Sequence, residues 1–125
     1  MAKSVHDNVL DSALNYVKNN STRICVCNAE PTTYTQAVTT YKLAIKTITS
    51  TDFTGPANGD TSGRKLTSNQ HTSITVDTTG TATHVALADS ATSTLLYVTT
   101  CTSQGLTAGN TVTIPVWDSE IADPA

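Results

Sequence analysis

The hydrophobic period of this chain changes at Asn20, and that change limits the folds open to it. Before it, Val5, Val9, Leu10, Ala13, Leu14 and Val17 recur at spacings of three and four, with Asp7, Asp11, Asn15 and Lys18 on the other side. This pattern predicts one amphipathic helix over residues 4–20. Ser4 stands where an N-cap is wanted. Asp7, three residues on, fits a capping box and the positive end of the helix dipole. Asn19-Asn20 supply a left-handed exit. After Asn20 the apolar residues alternate instead.

The first alternating run, Arg23 to Cys27, puts Ile24 and Val26 on one face of a strand and both sulfurs on the other. Glu30-Pro31-Thr32-Thr33 reads as a loop, and Tyr34, Ala37, Val38 and Tyr41 return briefly to helical spacing, which predicts a short helical turn over 34–40. Tyr41 to Thr51 reads as a strand with a change of face near its end. Phe53 to Gly63 is dense in Gly, Pro, Asn and Asp and reads as a surface loop. Strands are expected over 64–68, 73–77, 82–88, 94–101 and 111–117, separated by turn formers at Asp77-Thr78-Thr79-Gly80, Asp89-Ser90-Ala91 and Thr107-Ala108-Gly109-Asn110. In the last of these, Val112, Ile114 and Val116 share a face, while Pro115 marks an edge or an end. Residues 118–125, acidic and containing Ile121 and Pro124, read as a tail that projects or docks on a neighbour.

The expected fold is therefore α+β, mainly β. An N-terminal amphipathic helix is followed, over residues 22–117, by a small antiparallel β-sandwich or open barrel. The 125 residues suit one domain with its own core. Only 14% of them are charged, against about 25% in a typical soluble domain, and threonine alone supplies about a fifth. The surface is thus hydroxyl-rich rather than ionic. Seven Lys and Arg against ten Asp and Glu, with no basic cluster, leave no electrostatic footprint for nucleic acid or anionic lipid. No apolar run reaches the length that spans a bilayer, and Met1-Ala2-Lys3-Ser4 leads into a polar stretch rather than a signal peptide.

The side chains that could carry chemistry are few. Cys25 and Cys27, with Cys101, His71 and His84, are the one ligand-like set. Two sulfurs on one face of a strand lack the knuckle spacing of a zinc site, so reduced structural thiols, and no metal, are expected. A nucleophilic trio of Cys101, His84 and Asp89 has no supporting motif, and His84 is expected on the wetter sheet face. The Asp residues sit mainly in turns and the tail, and the glycines of 55–63 match no phosphate-binding loop. No catalytic residue and no cofactor are expected. The apolar residues Val5, Val9, Leu10, Leu14 and Val17 of the helix, with Trp117 and Ile121 near the C-terminal tail, are instead the expected interface. Such a helix buries its face within its own subunit or against a neighbour.

The stretches Val5-His6-Asp7-Asn8-Val9-Leu10-Asp11, Glu30-Pro31-Thr32-Thr33-Tyr34, Gly63-Arg64-Lys65, Gly80-Thr81-Ala82-Thr83-His84-Val85-Ala86-Leu87 and Leu106-Thr107-Ala108-Gly109-Asn110-Thr111-Val112-Thr113-Ile114-Pro115 resemble small virion structural proteins of tailed bacteriophages. The resemblance implies a non-enzymatic component present in many copies, a decoration or cement protein on the capsid. It would bind the major capsid protein or other virion proteins, with itself as a homo-oligomer, after synthesis in the host cytoplasm. Tail, neck and head-to-tail joining proteins of the same texture are the nearest alternative. Of another class, a carbohydrate-binding or adhesive module would use Trp117, Tyr97 and Tyr41 as stacking platforms, although aromatics make up only 5% of the chain.

Overall fold

The computed structural model describes residues 4–123 and carries an N-terminal helix followed by antiparallel sheets. The helix, α1 (Asp7–Asn20), begins three residues later than the capping signals at Ser4 predict. His6 takes the N-cap position, its Nδ1 accepting the Asn8 N–H at 3.1 Å. At the other end Ser21 leaves in an extended conformation, not a left-handed one. Its own N–H and Oγ both donate to the Val17 carbonyl, at 3.0 and 2.6 Å, which satisfies an orphan carbonyl of the last turn without a glycine.

The first layer is a four-stranded sheet made of β1 (Arg23–Cys27), β2 (Lys42–Thr47), β6 (Gly80–Asp89) and β7 (Thr94–Leu106), in the order β2-β1-β6-β7. As the alternation predicts, Ile24 and Val26 enter the main core while Cys25 and Cys27 face the other side. That second face is also dry. A short helical segment, ending in the π turn Gln36–Thr40, lies over it, burying Ala37 against both cysteines and Ala86. The strand predicted over 41–51 ends at Thr47. A 3-10 turn at Ser50–Asp52 follows, closed by a reciprocal capping box between Thr49 and Asp52.

The second layer is one long antiparallel ribbon in two pieces. β4 (Arg64–Ser68) pairs with β9 (Trp117–Ile121), and β5 (His71–Thr75) with β8 (Thr111–Ile114). The register carries across the break, from Ser68↔Trp117 to His71↔Ile114. Pro115 and Val116 interrupt one strand where Asn69 and Gln70 interrupt the other, because proline removes a ladder donor. The interruption also ends the alternation: Val112 and Ile114 are buried, but Val116 turns outward and is 58% exposed. In β5 a register shift at Ser73, which has a φ of 57°, lets His71 and Ile74 both point inward.

Two further sequence expectations fail in this layer. Phe53–Asn58 is not loop but an edge strand, β3, paired with β4 from Phe53↔Ser68 to Asn58↔Arg64. The register shift between Thr54 and Ala57 absorbs Gly55 and Pro56, so a proline is tolerated in a paired strand. Only the turn after Asn58 is irregular; there Gly63 has a φ of 69° and a Cβ would meet the Ile121 carbonyl. The acidic segment 118–125 is likewise no tail through Ile121, which completes β9. Pro124 lies outside the described residues.

A single bridge, Ala44↔Val76, joins the layers along the β2 and β5 side. On the opposite side β7 ends one sheet, while β8 and β9 end the other two, and no ladder joins them. The result is a barrel left open along one seam. Leu14, Ile24, Leu43, Leu66 and Leu87 fill its interior, with the helix against β3, β4 and β6. None of the described helices is long and apolar enough to cross a membrane.

Candidate functional site

Helix α1 is held rigidly to its own subunit. The Arg64 guanidinium, at the start of β4, reaches Asp11 through Nε at 2.7 Å and Nη2 at 3.2 Å, a two-point grip that fixes direction as well as distance. Asn58 accepts from the same guanidinium at 2.7 Å, and Lys18 donates to the Gly55 carbonyl at 3.1 Å. The Asp11 hydrogen bond, aided by the charges of Asp11 and Asp7 and opposed by burial, draws the Arg64 pKa up.

The clamp divides the seven residues expected at an interface. Leu10 and Leu14 are buried in the subunit, and Val17, Trp117 and Ile121 pack, half-buried, against the same core. Val5 is half-buried at the chain entry. Val9 stands apart at 62% exposure, and Tyr16, two turns on and not singled out by the sequence, is 56% exposed. With exposed Ala13 between them they form an apolar stripe on the helix's outer side. The helical spacing contains both stripes, and only the position of the sheets tells them apart.

The side chains considered for chemistry are dispersed or occupied. Asp89 is buried and accepts from the Ala91 N–H and the Thr92 hydroxyl, both at 2.9 Å, which fastens the turn from β6 to β7. His84 exchanges a hydrogen bond with its neighbour Thr83 at 2.8 Å and pairs in register with Cys27 and Thr100. Cys101 faces the opposite side of β7, toward the seam. Tyr97 and Trp117 meet each other across that seam, centroids 5.8 Å apart and planes inclined by 35°, and Tyr41 belongs to the other face of the first sheet. Among the described residues no group of three His, Cys, Asp or Glu side chains is placed to hold a metal ion.

The three thiols differ sharply. Burial pushes Cys25 up to about 12, with the neighbouring Cys27 adding to it, and burial pushes Cys27 up to about 11. The thiolate is the reactive form, so at pH 8 its population at these two sites is on the order of 10⁻⁴ and 10⁻³. Cys101 is half-exposed, and burial raises its pKa as well, so its reactivity rests on access. Ellman's reagent at pH 8 is therefore expected to modify one thiol per native chain rapidly and all three in guanidinium chloride. Rapid reaction of three thiols in the native protein would contradict the buried placement of Cys25 and Cys27.

His71 is 3% exposed, and its Nε2 finds no hydrogen-bond partner among the described residues. Burial lowers its pKa, with Lys46 acting in the same direction and Asp52 opposing. A histidine less basic in the folded than in the unfolded chain contributes full stability above the unfolded value near 6.5 and loses it as pH falls toward the folded one. Stability is thus expected to decline below about pH 6.5, by up to about 1.4 kcal/mol per pH unit from this group. Chemical denaturation of the wild type and His71→Gln across pH 5–8 checks this: the variant should lose that part of the slope, and identical slopes would refute it.

No family model, curated protein or solved structure matches this chain.

Proposed function

We propose that this chain is a non-enzymatic structural protein of a bacteriophage virion, a capsid decoration or cement protein that binds the major capsid protein and its own copies. One observation carries the reading most of the way: a helix locked to its own subunit through Arg64 and Asp11 presents a second apolar stripe, Val9 and Tyr16, to solvent. An exposed apolar stripe on a rigid element is a surface made for contact. Rigidity also limits the ordering entropy that association costs. The hydroxyl-rich, weakly charged surface suits repeated packing on a lattice, because contacts between uncharged groups depend little on salt. The resemblance of the sequence to small phage virion proteins supplies the partner class.

Sedimentation with DNA-free phage heads, followed by imaging of the pellet, tests the proposal. Saturable binding at symmetric surface sites, lost in the double variant Val9→Ser, Tyr16→Ser, is the expected result. Rings or tubes formed by the protein alone, with no binding to heads, would replace decoration by a tail or neck role. A monomer that ignores both heads and tails would overturn the virion reading altogether.

A further inference from the structure

The seam between β7 and the β8–β9 strand line is the least finished part of the fold. Its walls are Cys101, Thr102 and Gln104 of β7 on one side and Val112 to Pro115 on the other, around a cleft of about 180 Å³. The opening continues as a second hollow of about 310 Å³ past Thr99 and Thr100 to Trp117 and Asp118. Val26, Ala82 and Val85 contribute the apolar floor. The turn through Thr107–Asn110 joins β7 to β8 at one end, and Tyr97 packs on Trp117 toward the other.

We propose that this seam receives one extended strand of another protein chain, uncharged over about five residues and apolar at alternate positions. Three observations lead there. First, among the described residues both walls are free strand edges: β7 is paired with β6 alone, and β8 with β5 alone. Only a polypeptide backbone offers N–H and C=O groups to both edges at the repeat of a strand, which makes the occupant a strand rather than a small molecule or a helix. Second, β7 carries none of the side-chain devices that guard a solvent edge. From Thr94 to Leu106 it has no charge and no proline. Third, the lining chooses the occupant's character. The cleft holds no charged residue, and Asp118 in the adjoining hollow is already bound by the Thr67 hydroxyl at 2.7 Å and by Lys65 at 3.4 Å. A charged strand would lose its hydration there without gaining a partner. At the Trp117 end the buried indole N–H has no acceptor among the described residues, and a carbonyl of the added strand would supply one.

Among the described residues no segment of this chain is placed to fill the seam, and the occupant proposed is a strand of another chain. Asp7 lies beside Arg64, and the Asp123 N–H bonds to Ser62, both around the β3–β4 turn at the far end of β9 from the cleft. The inference does not depend on the virion reading, since it concerns what the seam binds and not the particle that supplies it.

A capped seven-residue peptide of alternating threonine and valine is the probe, used on the full-length protein. Two controls are matched to it, one with proline at its centre and one with aspartate in place of valine. Cys101 reports occupancy directly, as the half-exposed thiol in the wall. Binding is expected to slow its reaction with Ellman's reagent at least tenfold at millimolar peptide and to shift backbone amide resonances of residues 99–104 and 111–114. Both controls should leave rate and spectrum unchanged. Cys101→Arg should abolish the shifts in an otherwise folded spectrum, and Thr113→Arg serves the same purpose should the first variant fail to fold. An unchanged rate and spectrum with the threonine-valine peptide would overturn the proposal. Equal protection by the proline peptide would overturn it too, since simple filling of an apolar hollow would then explain the effect.

Discussion

Leu14→Ala is expected to lower the unfolding free energy by about 2–5 kcal/mol, while Val9→Ser, five residues away on the same helix, changes it by no more than about 0.5 kcal/mol. Leu14 is 2% exposed and belongs to the main core with Leu66 and Leu87, so its removal forfeits burial and leaves a cavity that rigid strands on both sides cannot collapse. Val9 is 62% exposed and gives up almost no burial within the subunit. Its loss should appear only in assembly. Urea denaturation of the two variants, with the slope compared to show that the unfolded states match, makes the measurement. A Leu14→Ala cost below about 1 kcal/mol would mean that the helix is not part of the core.

That contrast marks the boundary of what the sequence discloses. Helix α1 and the two faces of β1 are legible because their signals are local: a period of 3.6 and then of 2, read from residues that are neighbours in the chain. Which apolar stripe of the helix is covered is not local. Leu10, Leu14, Val9 and Tyr16 are all compatible with one amphipathic helix, and the choice is made by Arg64, more than fifty residues away, gripping Asp11. The helix start is a local matter that capping preference alone does not decide. Ser4 is a better capping residue than histidine in general, but His6 reaches the Asn8 N–H and the chain enters at that point.

The strands that escaped sequence reading are those whose residues look like something else. Phe53–Asn58 contains Gly, Pro and Asn, the vocabulary of turns, yet β4 supplies a partner and a register irregularity takes up the proline. In β9 the buried position is Ser119, at 1% exposure, between Trp117 and Ile121, which are only half-buried. No hydrophobic alternation announces such a strand. The open seam is equally hard to read, because the uncharged, proline-free run of β7 fits a paired strand as well as an unguarded edge.

Truncation after Trp117 tests the least visible of these strands, and it is expected to abolish the folded state at 25 °C. It removes the partners of Arg64, Lys65, Leu66 and Thr67 in the ladder. It also strips Asp118 from Thr67 and Lys65, and opens the flank of Leu66, which is completely buried in the intact chain. A domain of this size holds only about 5–15 kcal/mol of net stability, and losing one of three strands in a sheet that supports the core takes most or all of it. Circular dichroism and a two-dimensional amide spectrum of the truncated chain give the answer. Collapsed amide dispersion is the expected result, and it would persist with or without a partner particle, since the defect lies in folding. A well-dispersed spectrum would return residues 118–125 to the role of a detachable arm. Ser119→Pro, which puts a rigid proline ring at the buried position opposite Leu66 while keeping the chain length, should then also be harmless, whereas a paired β9 predicts that it destabilises the full-length protein severely.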